Sequence, residues 1–356
     1  MELVCPRCSK KYRPQKARYL CDCGSVLLVK YKRLQWSPEG TGVWRYKSCL
    51  PHKGKHYSLQ EGGTPLVKGL DRKAYYKLEG DNPTGSFKDR GTTVAVSKAI
   101  ADGFRCVTAA STGNMGASVA AYAAYANIKS RIFIPTKTAV NKLAQIIAYD
   151  AELVKVRGNY HDAVAKSWED VTKGSCLAMT GINPYYLEGE KTVGYELFEE
   201  MGVPDKIIVP MGTGGLITAI HKAFVELKQM GEAKKIPQMV GVQPKNCAPI
   251  AEAWKDGMDR AERVTKCDTI ASAIMVKVPF NDLTALNAIR DSKGEAVTVT
   301  EAAIKKAIRG LGKEGVFAEP ASAAALAAYE KIGKRKSDKI ALIITGSGLK
   351  DPSAVI

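Results

Sequence analysis

The chain reads as an α/β protein: two parallel α/β domains preceded by a small Cys-rich N-terminal hairpin. Three observations predict this. Short apolar runs alternate with helical periods from Leu66 onward, several of those runs are continuous, and glycine-bearing turns follow three of the strand or helix-opening segments. Continuous apolar strands belong to sheets covered on both faces, the usual condition of parallel strands. Strand–helix alternation sustained over this length implies two such units.

In chain order, Leu3 to Tyr31 forms the Cys-rich hairpin, and a mixed, basic connector runs through Gln60. The strand candidates are Ala74–Glu79, Cys106–Ala109, Arg131–Ile134, Glu152–Val156, Lys206–Val209, Gln238–Val242 and Ile340–Ile344. They are rich in aliphatic and β-branched residues and are bounded by turn residues. Helical spacing of apolar residues recurs in Met115–Ala126, Ala139–Tyr149, Tyr160–Thr172, Thr192–Met201 and Ile217–Met230. Ala321–Ala328 is a helix of small residues, suited to tight packing. The sequence contains no internal repeat and no low-complexity segment.

At 356 residues, with 45% hydrophobic and 25% charged side chains, the chain has the composition of a globular protein with a substantial core. No run approaches the ~18 apolar residues of a membrane helix. Met1–Cys5 has neither the basic start nor the apolar core of a signal peptide, so the cytoplasm is the simplest location and no membrane partner is expected. The formal charge is +17, and residues 1–60 hold 13 Lys and Arg against three Asp and Glu. Aromatic residues are not interleaved with that basic stretch as a nucleic-acid stacking platform requires. The charge is therefore assigned to solubility and to drawing in small anions, with nucleic acid not an expected partner.

Five of the nine cysteines (Cys49, Cys106, Cys176, Cys247 and Cys267) stand singly, which argues against a disulfide framework and for a reducing compartment. The other four, Cys5, Cys8, Cys21 and Cys23, form two close pairs and are candidates for a structural zinc, although only one residue separates the second pair. Four thiolates would leave no open coordination position, so no catalytic metal is expected.

The segment Thr84-Gly85-Ser86-Phe87-Lys88-Asp89-Arg90-Gly91 follows the first strand and a cluster of turn residues. Ser86 and Asp89 have the spacing of a capping box, which places Lys88 in the first turn of a helix. There the helix dipole disfavours a second positive charge, and a partly desolvated amine becomes suited to forming a Schiff base. An ordinary capped helix with an exposed lysine is the competing reading.

Three later turns lie where ligands bind in open α/β sheets. Ser111-Thr112-Gly113-Asn114 joins a strand to a helix and could hold a carboxylate on its amides and hydroxyls, Asn114 adding an amide donor. Gly212-Thr213-Gly214-Gly215 also opens a helix and suits a small phosphate, being neither a dinucleotide fingerprint nor a Walker loop. Thr345, at the end of the last apolar strand, could present its hydroxyl to a polar ligand atom. Each could also be a plain turn. Together, a reactive lysine, a carboxylate loop, a phosphate loop and a strand-end hydroxyl are the parts of a pyridoxal phosphate site.

Their order matches a family. The chain resembles the threonine synthases, within the tryptophan-synthase-β-like (fold type II) pyridoxal phosphate enzymes. The motifs that carry the resemblance are Glu61–Leu66, Ser86–Gly91, Ser111–Asn114, Asn183-Pro184 with Leu187–Thr192, Glu319–Ala323 and Thr345–Asp351. The resemblance implies two α/β domains with the cofactor between them. Residues 1–31 would form a zinc-ribbon-like hairpin, 32–85 with 185–356 a large cofactor-binding domain, and 86–184 a small domain carrying the substrate-carboxylate loop. It implies that Lys88 forms the Schiff base, Asn114 binds the ring oxygen, Gly212, Thr213, Gly214 and Gly215 hold the cofactor phosphate, and Thr345 meets the pyridine nitrogen. Ser111, Thr112 and Gly113 would hold the substrate carboxylate, with Lys88 as the general base. A homodimer acting in threonine biosynthesis, converting O-phosphohomoserine and water to threonine and phosphate, is the implied enzyme.

The chain departs from that pattern where the family holds the substrate phosphate. Met115 replaces a Thr, Leu216 an Asn, Tyr186 an Arg, and Thr180-Gly181 an Asn-Ser pair. Either other groups, such as Lys191 or a basic residue of the N-terminal region, rebuild that pocket, or the substrate differs. A serine or threonine ammonia-lyase or a β-replacement synthase would keep the cofactor residues and lose the phosphate cradle. The non-enzyme alternative is a zinc-ribbon protein binding nucleic acid through its basic N-terminal part.

Overall fold

Ile340–Ile344 is buried at every position, as a continuous aliphatic run demands, and lies inside a six-stranded sheet. The computed structural model describes residues 1–16, 18–70, 73–138, 143–178, 181–333, 335 and 338–352. The sheet order is Glu295–Val299, Gln238–Pro244, Lys206–Pro210, Ile340–Ile344, Ala74–Leu78 and Leu66–Lys68. Every neighbouring pair is parallel except the last, where the short strand Leu66–Lys68 runs antiparallel along the edge. The small-residue helix Pro320–Lys331 is buried over nearly its whole length, and its alanines join Ile208, Val240, Leu342 and Ile344 in one core. Alanine side chains let a helix lie close on a sheet while losing almost no side-chain entropy.

A second sheet has four parallel strands in the order Glu152–Val156, Lys129–Pro135, Cys106–Ala110 and Cys176–Leu177. Helices Lys88–Ala101, Asn114–Tyr125, Tyr160–Thr172 and Pro184–Glu190 belong with it. The expected helix from Ala139 to Tyr149 is observed as Ala144–Ala148, and its first residues, 139–142, lie outside the described residues. Strands Leu66–Lys68, Cys176–Leu177 and Glu295–Val299 were not anticipated from the sequence. The first two are too short to carry a pattern, and the third is a half-exposed strand at the sheet edge.

The N-terminal hairpin is a three-stranded antiparallel sheet of Glu2–Val4, Lys11–Tyr12 and Leu28–Lys30, with Glu2–Val4 in the middle. Contacts divide the chain into two compact units. One comprises Met1–Gly62, Asn82–Thr84 and Lys88–Glu190, with the hairpin and the four-stranded sheet. The other comprises Gly63–Asp81, Gly85–Phe87 and Lys191–Ile356, with the six-stranded sheet. Residues 32–62, expected on the side of the large domain, fall in the first unit. Val43, Trp44 and Leu50 pack on Val94 there, Trp44 Nε1 donates to Thr93 Oγ1 at 2.8 Å, and the Tyr57 amide donates to Ser97 Oγ at 2.9 Å.

One expectation from the cysteine pattern is corrected. Cys247 and Cys267 are joined by a disulfide, with their Cα atoms 4.6 Å apart. The segment after helix Pro249–Lys255 folds back beside Cys247, a tertiary return that isolated positions in sequence do not reveal. No other disulfide occurs among the described residues.

Candidate active site

In the first unit, Lys88 is the first residue of helix Lys88–Ala101. The expected Ser86 cap is not formed, and Asp89 is engaged differently. Asp89 accepts hydrogen bonds from the Thr84 amide at 2.7 Å and from Thr84 Oγ1 at 2.6 Å, satisfying both groups of that residue. In the second unit, the Ser86 backbone is bridged antiparallel to Gly346 and the Phe87 amide donates to the Thr345 carbonyl at 3.0 Å. The Ser86 hydroxyl is buried without a hydrogen-bond partner.

The Lys88 side chain is 16% exposed, and its Nζ lies 3.7 Å from Oε1 of Glu190, which is fully buried. Glu190 closes helix Pro184–Glu190, every residue of which is buried. From the same helix Tyr186 donates its hydroxyl to the Lys88 carbonyl at 2.5 Å and lies 3.2 Å from Thr92 Oγ1. Thr92 Oγ1 donates to the same carbonyl at 2.9 Å and accepts from Ser118 Oγ at 2.7 Å. Burial, and then the charge of Glu190, push the Tyr186 phenol well above its ordinary pKa, so it remains a donor at any working pH. Two glycines let the helices approach this closely: a Cβ on Gly189 would collide with the Arg90 carbonyl, and one on Gly91 with the Tyr186 ring.

Tyr186 is thus an internal tie to the lysine's backbone, and it brings no charged donor to an anion. Met115 is likewise buried. Thr180 lies outside the described residues. The turn Ser111–Gly113 remains partly exposed; the Gly113 amide donates to Ser111 Oγ at 3.2 Å, and helix Asn114–Tyr125 starts with neither a side-chain cap nor an acidic residue in its first turn. Uncapped N–H groups without a competing carboxylate are what a bound carboxylate needs.

In the second unit, Gly214 sits in the left-handed region at φ 88° and opens helix Gly215–Gln229, whose first turn carries no acidic residue. A Cβ on Gly214 would lie 2.9 Å from the Asn281 carbonyl oxygen and 3.0 Å from Ala285 Cβ, so position and conformation both require glycine. The Asn281 amide donates to the Thr213 carbonyl at 2.9 Å and fixes the loop. Leu216 is buried in the helix that follows. Thr345 donates its hydroxyl to Glu319 Oε1 at 3.1 Å and pairs with Ser322 Oγ at 2.9 Å, all three residues being buried. Lys191, considered above as a substitute phosphate ligand, is fully buried with Nζ 2.8 Å from Glu226 Oε2 and is spent on that pair.

The residues fit pyridoxal phosphate in kind. An amine is held at a helix start, an uncapped helix opens on a glycine that nothing larger could replace, and a buried hydroxyl stands at a strand end. Glu190 and the Tyr186 tie escaped the sequence reading because they depend on two helices far apart in the chain. Their segment was part of the family motif but carried no sign of facing Lys88.

The four N-terminal thiols come together as expected. Their Sγ atoms lie within 4.8 Å of one another, with Cys5–Cys23 and Cys8–Cys21 each at 3.5 Å. A tetrahedral zinc with ~2.3 Å Zn–S bonds needs sulfur separations of this order. Cys5 and Cys21 also pack with Leu3, Leu27, Val29 and Tyr185, and Tyr31 donates to Glu188 at 2.7 Å. The hairpin is therefore bound to the outer side of helix Pro184–Glu190.

The profile of the family described as pyridoxal-phosphate dependent enzyme matches residues 57–346. A threonine synthase of Methanosarcina acetivorans is 38% identical over 99% of this chain and 93% of its own length. One of Methanocaldococcus jannaschii is 39% identical with the same coverage. Among solved structures, maize serine racemase superposes with a TM-score of 0.70 at 24% identity, covering 82% of this chain and 89% of that one. With these matches along nearly its whole length, the chain belongs to the pyridoxal-phosphate dependent enzymes and, within them, to the threonine synthase family.

Proposed function

We propose that the protein is a pyridoxal phosphate-dependent threonine synthase, a lyase that converts O-phosphohomoserine and water to threonine and phosphate. The observation that carries this reading is identity of 38–39% to threonine synthases along 99% of the chain, Cys-rich hairpin included. Bound pyridoxal phosphate supplies an electron sink that acidifies the hydrogens of an attached amino acid. Lys88 would hold the cofactor and, once released, move protons as general base. Gly212, Thr213, Gly214 and Gly215 would bind its phosphate through amides at the start of helix Gly215–Gln229. Asn114 and Thr345 would fix its ring, Thr345 being oriented by Glu319 and Ser322. Ser111, Thr112 and Gly113 would hold the substrate carboxylate. The proposal includes a homodimeric, cytoplasmic enzyme with no nucleic-acid or membrane partner. No helix among the described residues is long and apolar enough to cross a membrane.

One observation supports a second reading. Met115, Tyr186 and Leu216 are all buried, and Lys191 is committed to Glu226, so none of them offers a cation to a substrate phosphate. A serine or threonine ammonia-lyase or a β-replacement synthase would have no use for such a cradle. Purified protein supplied in turn with O-phosphohomoserine, threonine, serine and O-phosphoserine separates the two. Phosphate and threonine from O-phosphohomoserine are expected. Keto acid from threonine, with no phosphate released from O-phosphohomoserine, would replace the first reading by the second.

A further inference from the structure

Glu190 brings a buried carboxylate to the tip of Lys88, with 3.7 Å between Oε1 and Nζ. That is too long for a tight hydrogen bond, yet well inside the range where one charge governs the protonation of another. The carboxylate is held in place by its helix. Tyr186 anchors that helix to the Lys88 carbonyl, Gly189 lets it lie against the Arg90 carbonyl, and Glu188 is tied to Tyr31. Asp89, Glu61 and Tyr186 each have hydrogen-bond partners of their own. Asp89 accepts from Thr84, Glu61 accepts from Tyr122 and Ser58, and the Tyr186 phenol serves the lysine's carbonyl. Arg90, buried in the same turn, is a second cation and no substitute for an anion.

We propose that Glu190 is the counter-ion of Lys88 during turnover, stabilising the ammonium that the lysine becomes each time it takes a proton from the substrate. The proposal rests on the reading of Lys88 as the cofactor-binding general base. When Lys88, freed as a neutral amine, removes the proton at the substrate's α-carbon, a C–H bond breaks, an N–H bond forms and the electron pair stays with the substrate. The enzyme is left with an ammonium on a side chain that is only 16% exposed, and the Glu190 carboxylate compensates it. The same attraction keeps the proton on the enzyme for its return to the substrate. Glu190 acts through Lys88 and is a positioning residue.

The test uses the holoenzyme and its Glu190→Gln and Glu190→Asp variants, with two readouts. One is the pH midpoint of the bound cofactor's absorbance change. The other is the rate at which an amino acid held by the enzyme, L-threonine first, exchanges its α-hydrogen for solvent deuterium. In Glu190→Gln the midpoint is expected to fall by about 1–3 units and exchange to slow at least ~10-fold, with Glu190→Asp between the variant and wild type. Unchanged midpoint and exchange in Glu190→Gln would overturn the proposal. Loss of the cofactor band in both variants would also overturn it, by making Glu190 a structural support. Exchange can be read with any amino acid that the site accepts, so the result does not depend on O-phosphohomoserine being the substrate. A wild-type protein with no cofactor band would instead overturn the underlying reading of Lys88.

Discussion

Lys191→Met is expected to destabilise the protein severely. Lys191 Nζ stands 2.8 Å from Glu226 Oε2, with side-chain exposures of 0% and 6%. Lys222 approaches the other carboxylate oxygen at 3.3 Å, and Tyr195 donates its hydroxyl to Oε2. At an effective dielectric near 20, unit charges at this separation attract by about 6 kcal/mol. Desolvation of several kcal/mol per ion opposes this, so the pair as a whole adds little net stability. Removing one partner differs, because it leaves the other charge buried, and such deletions lose about 3–5 kcal/mol. Lys222 remains beside Glu226, which places Lys191→Met toward the lower end. A loss of about 3 kcal/mol corresponds to a fall in melting temperature of about 6–12 °C. Burial raises the Glu226 pKa, but Lys191, Lys222 and Tyr195 more than offset it and leave it below the ordinary value of 4.5. A depressed folded-state pKa stabilises the protein above the unfolded value, and that contribution disappears as pH falls through the folded one. The gap between wild type and variant should therefore be full at neutral pH and shrink below pH 4.5. Thermal and urea unfolding followed by circular dichroism measure it. The reasoning is refuted if Lys191→Met loses less than about 1 kcal/mol, or if Lys191→Met combined with Glu226→Leu loses as much as the two single variants added together.

Tyr186→Phe should lose about 1 kcal/mol of stability while retaining cofactor, because Thr92 still donates to the Lys88 carbonyl; paired melting curves and absorbance spectra check both parts. Gly214→Ala combines a forbidden conformation with a contact at 2.9 Å to the Asn281 carbonyl. It should raise the dissociation constant for pyridoxal phosphate at least ~10-fold, equivalent to strain of about 1–3 kcal/mol, as measured by equilibrium dialysis. Protein purified without chelator should carry one zinc per hairpin by elemental analysis. Cys5→Ser combined with Cys21→Ser should abolish the metal and lower the melting temperature, with an equal zinc content in wild type and variant as the contrary result.

Much of this fold was legible because its strands are buried on both faces and so appear as uninterrupted aliphatic runs. Glu152–Val156, Tyr160–Thr172, Thr192–Met201 and Ile340–Ile344 occupy the residues that the pattern indicated. The edge strand Glu295–Val299, partly solvated, carries a weaker signal. Lys88 at a helix start was also readable, since turn residues and periodicity are local. Its cap was misread because the Ser86 hydroxyl is buried without reaching an N–H group of the helix, an outcome that local spacing does not contain. The fate of Tyr186, Glu190 and Lys191 was hidden for a similar reason. Their partners Lys88 and Glu226 are brought to them by tertiary packing, and a side chain's charge says nothing in advance about which neighbour will claim it.

The two-faced character of helix Pro184–Glu190 has a practical consequence for anyone shortening this protein. The region shared with the wider family begins at residue 57, which invites expression of a minimal enzyme without the hairpin. One side of the helix, through Tyr185 and Glu188, is the floor on which the hairpin stands, and the other side, through Tyr186 and Glu190, touches Lys88. Trimming the N-terminus would strip an aromatic ring and a carboxylate of their cover on the helix that touches Lys88. The hairpin is better regarded as foundation than as ornament, and a truncated enzyme should be judged by how well it still holds Lys88 before it is judged by how well it expresses.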